Sequence, residues 1–542
     1  MKISVAKELP VSIYHPRDEN RPILPVPVIS GDGTQYLSDI LPEHLLTEMQ
    51  IGTSVLIHAP VGSGKTTALI KQAVQQECPV LWVTNRKALA IQTKKAILTA
   101  QGMDVSDWPS NAIGAAHTGR ITVTTYQAIA AGGVPKLYHG SVCIFDEIHY
   151  LLNDAVFSTA PMLFRKFLRS ILSKTKRIYI SATAEEVAPL LWKLEQPEQT
   201  TQMLYTLTGT PCPPHLQQCF TLQSDWSHLQ FRYYSYGNAE QLTEKLREIP
   251  SGEKTVLFVR NKERGAALKE LLPDSAFVYS SEEESEVLEQ IARTEQFAPN
   301  TLVSTKVLEN GVSMTEEAVR HIVIEEIDPI AWMQFLGRVR NKRKHPRTLT
   351  VWIPDYTAQE LSQYRQMLLE RIQALRDIRH DFHDFLRHPE RLQPWMIHSN
   401  GKTVRVNDLA LIKLEHLADH VDCLLESQRE EHHAHIRFLR QLLHLSEQPE
   451  EQDFLDYDDR ESFCAKVRDA YDAFLVSPKY KADRDALAQA LISAVRTTNV
   501  YGEKITSSNI QLGTMQKILH CAGIEAKISS LGEAFAVEEC SC

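Results

Sequence analysis

Long apolar runs are what this sequence most clearly lacks. No run of about 18 apolar residues occurs, so no membrane-spanning helix is expected. The start, "MKISVAKELP", has no apolar core of the signal-peptide kind. Paired cysteines are lacking as well. The nine cysteines are odd in number and none is spaced as CxxC. That pattern points to free thiols and a cytoplasmic or other reducing intracellular location. "CPPHLQQC", with Cys212, His215 and Cys219, comes nearest to a metal site, and a chance loop cluster accounts for it better. Cys540 and Cys542 do not form a prenylation box. There is no excess of positive charge: the net charge of -10 excludes a whole-surface nucleic-acid binder, though not a locally basic groove. Repeats and low-complexity tracts are absent too.

What remains is an ordinary globular composition, 43% apolar, in a chain of 542 residues. That length is too great for one core and favours about three domains. Within it, "SVLIHAPVGSGKTTALI" has the form of an apolar strand, a glycine-rich turn and a helix. Ala59 stands where the GxxxxGK[ST] pattern has its first glycine. Gly62, Ser63 and Gly64 let backbone N–H groups converge on phosphate oxygens at the positive end of the following helix. Lys65 can reach the β- and γ-phosphates, Thr66 can ligate Mg²⁺, and Thr67 follows on the same turn. These residues make ATP and Mg²⁺ the expected ligands. Further on, "CIFDEIHYL" ends an apolar strand in two adjacent acids. In a P-loop ATPase a second strand brings an Asp beside Mg²⁺, and a neighbouring acid can deprotonate the attacking water. Asp146 is therefore expected at the metal and Glu147 in the base role.

Asp146-Glu147-Ile148-His149 has the D-E-x-H form, and the chain resembles superfamily 2 DExH-box helicases and translocases. Other segments match in order. "VLWVTNRKALAIQT" resembles motif Ia, with Asn85 and Arg86. "TGRITVTTYQAI" resembles the Ib region, with Thr125 and Tyr126. "IYISAT" supplies Ser181, Ala182 and Thr183 as motif III. "TVLFVRNKERGAAL" resembles motif IV, with Arg260 and Asn261. "LVSTKVLENGVSM" resembles motif V, with Thr305 and Gly311. "QFLGRVR" resembles motif VI, with Gln334, Gly337 and Arg338. The resemblance covers roughly residues 50–345. It implies two tandem RecA-like parallel-sheet lobes with ATP in their cleft. It also implies that His149 couples that site to motif III, that Gln334 and Arg338 complete the site from the second lobe, and that Arg86, Thr125, Arg260 and Thr305 lie near nucleic-acid phosphates. A buried histidine and a helix-capping threonine are the plainer readings of His149 and Thr125.

Two departures stand out. The family pattern QRxGRxGR has a second arginine where this chain has Asn341; Arg340 or Arg343 could take that role. No Gln-plus-aromatic adenine-reading motif precedes the P-loop. Alternation of apolar strands (about 54–58, 80–84, 121–125, 142–145 and 178–181, then 255–259, 301–304, 321–325 and 348–353) with helical stretches independently predicts parallel sheets covered on both faces. The expected layout is an extended arm over 1–40, lobe one over 41–215 and lobe two over 216–355. A helical region follows over 356–446, with a hairpin near 395–406, and then an acidic linker and small helical module over 447–542. A capping box at Thr357–Glu360 should start a helix whose stripe runs Leu361, Tyr364, Leu368, Ile372, Leu375, Ile378, Phe382 and Phe385. A second long helix is expected from about Asp408 to Leu445, with His432, His433 and His435 on a solvated face. The last module reads as a packing domain or a winged module, and could recruit a partner protein. Three functions fit: a helicase or translocase on nucleic acid, a duplex translocase that does not separate strands, and an ATP-gated clamp or remodelling subunit.

Overall fold

The computed structural model describes residues 2–3, 26–32, 35–133, 135–196, 215–279, 286–308, 314–341, 347–380, 392–399, 403–430, 432–445, 460–476, 481–498, 511–522, 524, 526–531 and 534–539. Gly311, Arg343, Phe382, Phe385 and the acidic stretch 446–459 lie outside them.

Strand β1 (Lys2–Ile3) stands apart from the lobes. Strands β2 (Val28–Gly31), β3 (Ser54–His58), β4 (Val80–Thr84), β5 (Ile121–Thr125), β6 (Val142–Phe145), β7 (Lys176–Ser181) and β8 (Leu216–Leu222) form one sheet in the order β2-β8-β3-β7-β6-β4-β5. Strands β9 (Leu229–Ser235), β10 (Lys254–Phe258), β11 (Ser275–Val278), β12 (Thr301–Ser304), β13 (Val319–Ile324) and β14 (Leu349–Asp355) form the second, in the order β11-β12-β10-β13-β14-β9. Every pairing in both sheets is parallel. Each residue of β4 and β6 is buried, as strands covered on both faces require. These are the two RecA-like lobes, followed by a mostly helical C-terminal region.

The first sheet extends past its expected bounds at both ends. Strand β2 comes from within residues 1–40 and pairs with β8, which lies beyond 215. β8 in turn pairs with the P-loop strand β3. The reason is edge coverage: β3 would otherwise be a central-type strand with one open side. Within the two sheets, four strands have no counterpart among the expected ones, namely β2, β8, β9 and β11. Their sequences are short or polar-interrupted, so alternation did not mark them.

A buried ion cluster pins the back of the first lobe. Arg177, fully buried on β7, donates to Glu195 (2.7 and 2.8 Å) and to the carbonyls of Gly52 and Thr175. Tyr179 donates to the same carboxylate. Removing one member of such a cluster costs about 3–5 kcal/mol, because its partners stay buried and uncompensated.

Beyond the second sheet, Thr357 and Glu360 form the expected capping box, each side chain accepting from the other's backbone N–H (3.2 and 2.9 Å). The helix it opens is Ala358–His380, burying Leu361, Leu368, Ile372, Leu375 and Ile378. The hairpin is present as β15 (Ile397–Ser399) and β16 (Thr403–Val406), and β1 adds to it in parallel. The expected single helix from Asp408 to Leu445 is instead two, Asp408–Glu430 and Ala434–Leu442. The break falls at His433, whose left-handed φ of 64° cannot continue a helix. Its Nδ1 lies 2.8 Å from Asp355, while His435 is buried against Tyr356, so these histidines do not share a solvated face. The last module has its own core of helices Arg460–Val476, Lys481–Thr498 and Leu512–Cys521. It ends in an antiparallel hairpin, β17 (Ala526–Leu531) and β18 (Ala534–Glu539), so it is not purely helical.

Candidate nucleotide site between the lobes

The P-loop follows β3 directly. Gly62 and Gly64 sit at φ 78° and 81°, conformations that side chains other than glycine resist. Ala59 needs no such freedom: its N–H joins the ladder by donating to Ser181 O (3.1 Å). Thr66 and Thr67 occupy the first turn of the helix Lys65–Ala73. Lys65 Nζ donates to the carbonyls of Ala59 (2.6 Å) and Pro60 (2.8 Å). Burial lowers its pKa to about 8, against the opposing pull of Glu147 and Asp146. Tyr36 was missed by the sequence reading. It precedes a one-turn helix whose Leu37 N–H donates to Ser63 O (2.9 Å), and its ring covers Gly64. Its distance in sequence from the loop hid it.

The acids enter from β6. Asp146 N–H donates to Val83 O, and Ile148 N–H to Ile180 O, so the turn after β6 is stitched to both neighbouring strands. Burial, then the adjacent Glu147 charge, pushes Asp146 up to about 7, while Lys65 opposes this. Glu147 has φ 56°, a left-handed backbone that a non-glycine residue seldom adopts. Burial pushes its carboxyl up, and His149, Arg338, Lys65 and Arg340 together outweigh that and hold it below the usual carboxylate range. A threonine hydroxyl and a carboxylate are hard oxygen donors, as Mg²⁺ requires. Thr66 and Asp146 thus fit a Mg²⁺ ion.

The second lobe contributes the helix Pro329–Leu336 and the residues just past it. A ring of polar contacts crosses the cleft. From Glu147 Oε2 it runs 3.4 Å to His149 Nδ1, which lies 3.1 Å from Ser181 Oγ. Ser181 Oγ accepts from Thr183 N–H (3.0 Å), and Thr183 Oγ1 accepts from Gln334 Nε2 (3.0 Å). Gln334 Oε1 accepts from Arg338 Nη2 (2.9 Å), and that nitrogen is 4.0 Å from Glu147 Oε1. Gln334 is fully buried and Arg338 nearly so. Strand β7 lies between β3 and β6, which is why Ser181 can stand between the P-loop and the acids.

Backbone contact reinforces the ring. A Cβ on Gly337 would meet Val61 Cγ2 at 2.7 Å, so motif VI lies directly on the P-loop. Gly337→Ala should therefore lower ATP turnover about tenfold or more by forcing the lobes apart, and adding Val61→Ala should restore most of it. A steady-state ATPase assay on the single and double variants checks this. An equally impaired double variant would mean that the approach to Val61 is not the cause.

Asn341 does not take the place of a second arginine in the cleft. Its side chain accepts from Arg347 N–H (2.9 Å) and donates to Arg347 O (2.7 Å), closing the base of the basic loop. Arg340 is exposed at the rim, and its charge acts on both Lys65 and Glu147.

The four expected phosphate-contacting residues all lie at C-terminal strand ends. Arg86 follows β4, Thr125 ends β5, Arg260 follows β10 and Thr305 follows β12. Each has an internal role as well. Arg86 pairs with Asp154 (2.9 Å). Thr125 accepts from Ala128 N–H as a helix cap (3.2 Å). Arg260 lies among the rings of Tyr236, Tyr356 and Tyr364, at 5.1, 5.5 and 4.8 Å from their centroids. Thr305 is buried.

The P-loop, the two acids and motif III all lie within one segment. Residues 43–190 match the DEAD/DEAH box helicase family. The matched segment spans β3 to β7 and holds the first half of the candidate site. Solved structures similar to it include S. cerevisiae Dbp5 bound to RNA and ADP BeF3 (13% identity, TM-score 0.41, covering 69% of this chain and 91% of that one). The DEAD-box helicase Mss116 bound to ssRNA and UDP-BeF is similar over 92% and 93% of the two chains (12% identity, TM-score 0.40). Mycobacterium smegmatis helicase Lhr bound to ssDNA and AMP-PNP is similar over 57% of this chain and 44% of its own (18% identity, TM-score 0.37). No curated protein matches the chain. Among the described residues no helix is long and apolar enough to cross a membrane, and no group of His, Cys, Asp or Glu is arranged to hold a metal on its own.

Proposed function

We propose that this chain is an ATP-dependent nucleic-acid motor of helicase superfamily 2 with a DExH-type site. The observation that carries the reading is the ring from Glu147 through His149, Ser181, Thr183 and Gln334 to Arg338. It links the acid beside the P-loop to an arginine of the other lobe. In this reading Gly62, Ser63, Gly64, Lys65, Thr66 and Thr67 cradle the phosphates. Glu147 takes the proton of the attacking water, and Arg338 meets the charge that develops on the transferring phosphoryl group. Thr66 and Asp146 would hold Mg²⁺, whose charge neutralises the β- and γ-phosphate oxygens when bound. Gln334 orients Arg338 and reports its position to Thr183. A polynucleotide would lie along the C-terminal strand ends of both lobes, near Arg86, Thr125, Arg260 and Thr305. Parallel sheets place ligands there, and backbone contacts carry no sequence code.

ATP turnover measured with no polymer, single-stranded DNA, duplex DNA and RNA tests this, followed by unwinding of substrates with 3′ and 5′ tails. Stimulation with strand displacement supports a helicase; stimulation without it supports a duplex translocase or clamp. No hydrolysis under any condition rejects the reading. Ser181→Ala with Thr183→Ala cuts the ring without touching the acids or the arginine. That variant should keep most basal ATPase and lose several-fold more of the polymer-dependent work. Equal losses in the two assays would remove motif III from coupling.

A further inference from the structure

We propose that Lys413, on a C-terminal helix outside the helicase-family segment, is a positioning residue that latches the two lobes in the geometry the site requires. Lys413 is almost fully buried. Its Nζ lies 2.7 Å from Glu186 Oε2 and 2.8 Å from Asp328 Oδ2. These carboxylates belong to different lobes. Glu186 follows Thr183 in the loop after β7. Asp328 caps the helix Pro329–Leu336, its Oδ1 accepting from Ile330 N–H (3.0 Å). That helix carries Gln334 and leads straight into Arg338.

The latch has a fixed base. The helix Asp408–Glu430 begins with Asp408 paired to Arg165 of the first lobe through both guanidinium nitrogens (2.8 Å each). Just before it, Asn407 Nδ2 donates to the carbonyls of Ala155 (2.9 Å) and Ser158 (3.2 Å) in that lobe. Lys413 comes about one and a half turns later, so it is held by lobe one while its ammonium reaches lobe two. The Lys413 ammonium, buried between the two carboxylates, pairs with both at once. With the lobes apart, Lys413 could keep at most one of the two, and the ion pair to the other would be lost. Burial acts to lower the Lys413 pKa, but Asp328 and Glu186 outweigh it, so the cation persists at neutral pH. Glu186 also lines a neighbouring cavity of about 180 Å³, together with His58, Thr183, Met333 and His416. The ion triad is therefore a further interlobe link beside the Gln334–Thr183 contact.

The proposal deepens the motor reading and rests on it for its effect on turnover, but the latch itself can be read without ATP. Removing Lys413 alone strands two buried acids, so the informative variant is the neutral triple Lys413→Met, Glu186→Gln, Asp328→Asn, with Lys413→Arg as the charge-keeping control. Spin labels go on non-natural residues, because the chain has nine cysteines. Met103 in lobe one and Glu270 in lobe two are exposed positions for them. Pulsed electron resonance on the full chain without nucleotide should give one narrow distance for the wild type and for Lys413→Arg, and a broadened, longer distribution for the folded triple variant. ATP turnover at saturation should fall about tenfold in the triple variant, with KM changed less than about threefold. A triple variant that melts at the wild-type temperature and keeps the wild-type distance distribution overturns the latch. If the wild type hydrolyses no ATP, the motor reading fails, while the distance measurement still decides the latch.

Discussion

Glu147→Gln should lower ATP turnover by a factor of about 10²–10⁴, the usual contribution of a general base, while leaving nucleotide binding intact. The substitution keeps the size of the side chain beside His149 (3.4 Å) and Arg338 (4.0 Å), so the rest of the ring across the cleft can persist. What it removes is the proton acceptor. The site is built for that acceptor to stay ionised: His149, Arg338, Lys65 and Arg340 hold it below the usual carboxylate range against burial. The left-handed φ of 56° at Glu147 is a further sign that its direction is imposed rather than relaxed. With the phosphate loop untouched, the variant should bind Mg²⁺-ATP about as well as the wild type and accumulate in the bound state. Equilibrium binding of a fluorescent ATP analogue beside steady-state turnover separates the two effects. Wild-type turnover in Glu147→Gln would take Glu147 out of the base role.

The parts of this site that the sequence makes legible are those whose cause is local. A strand, two left-handed glycines and a helix start occupy consecutive residues at 54–73, so the P-loop can be read without knowing its neighbours. The same is true of Asp146 and Glu147 after an apolar strand, and of the capping box at Thr357. What could not be read depends on contacts far apart in the chain. Strand β8 looks like the start of a second lobe until its pairing with β3 is known. The helix break at His433 answers to Asp355, a residue of the second sheet. Asn341 sits at an arginine position in sequence, yet its partner is Arg347 rather than anything in the cleft. Tyr36 and Lys413 carry no motif at all, and only the tertiary fold brings them to the site. The expected phosphate contacts are an intermediate case. Their place at strand ends follows from alternation of strand and helix, but the tyrosine cage around Arg260 draws Tyr364 from the C-terminal region and was invisible.

The irregular motif VI sets the last expectation. Arg338→Ala should reduce turnover by a factor of order 10³–10⁵, the range typical of a lost arginine finger, with ATP binding nearly unchanged. The finger acts by meeting charge that develops only as the phosphoryl group transfers. Arg338 is suited to this because it is almost wholly buried, held by Gln334, and within 4.0 Å of Glu147. Arg340 tests the departure from the family pattern. Asn341 is committed to closing the basic loop, so a second cation must come from elsewhere. Arg340 is the described residue whose charge already reaches both Lys65 and Glu147. It is exposed at the rim, however, where solvent screens it, and its backbone is tied to Met314 O (2.9 Å). An exposed rim cation is worth less than a buried one. Arg340→Ala should therefore cost about 10–10²-fold in turnover, well short of Arg338→Ala. If Arg340 serves only the basic loop, its loss will weaken polymer binding and flatten its salt dependence, with basal hydrolysis untouched. Basal and polymer-stimulated rates for alanine variants at 338 and 340, each at two salt concentrations, distinguish these outcomes. A normal basal and stimulated rate for Arg338→Ala would overturn the alignment of motif VI, and with it the sharing of the nucleotide site between the lobes.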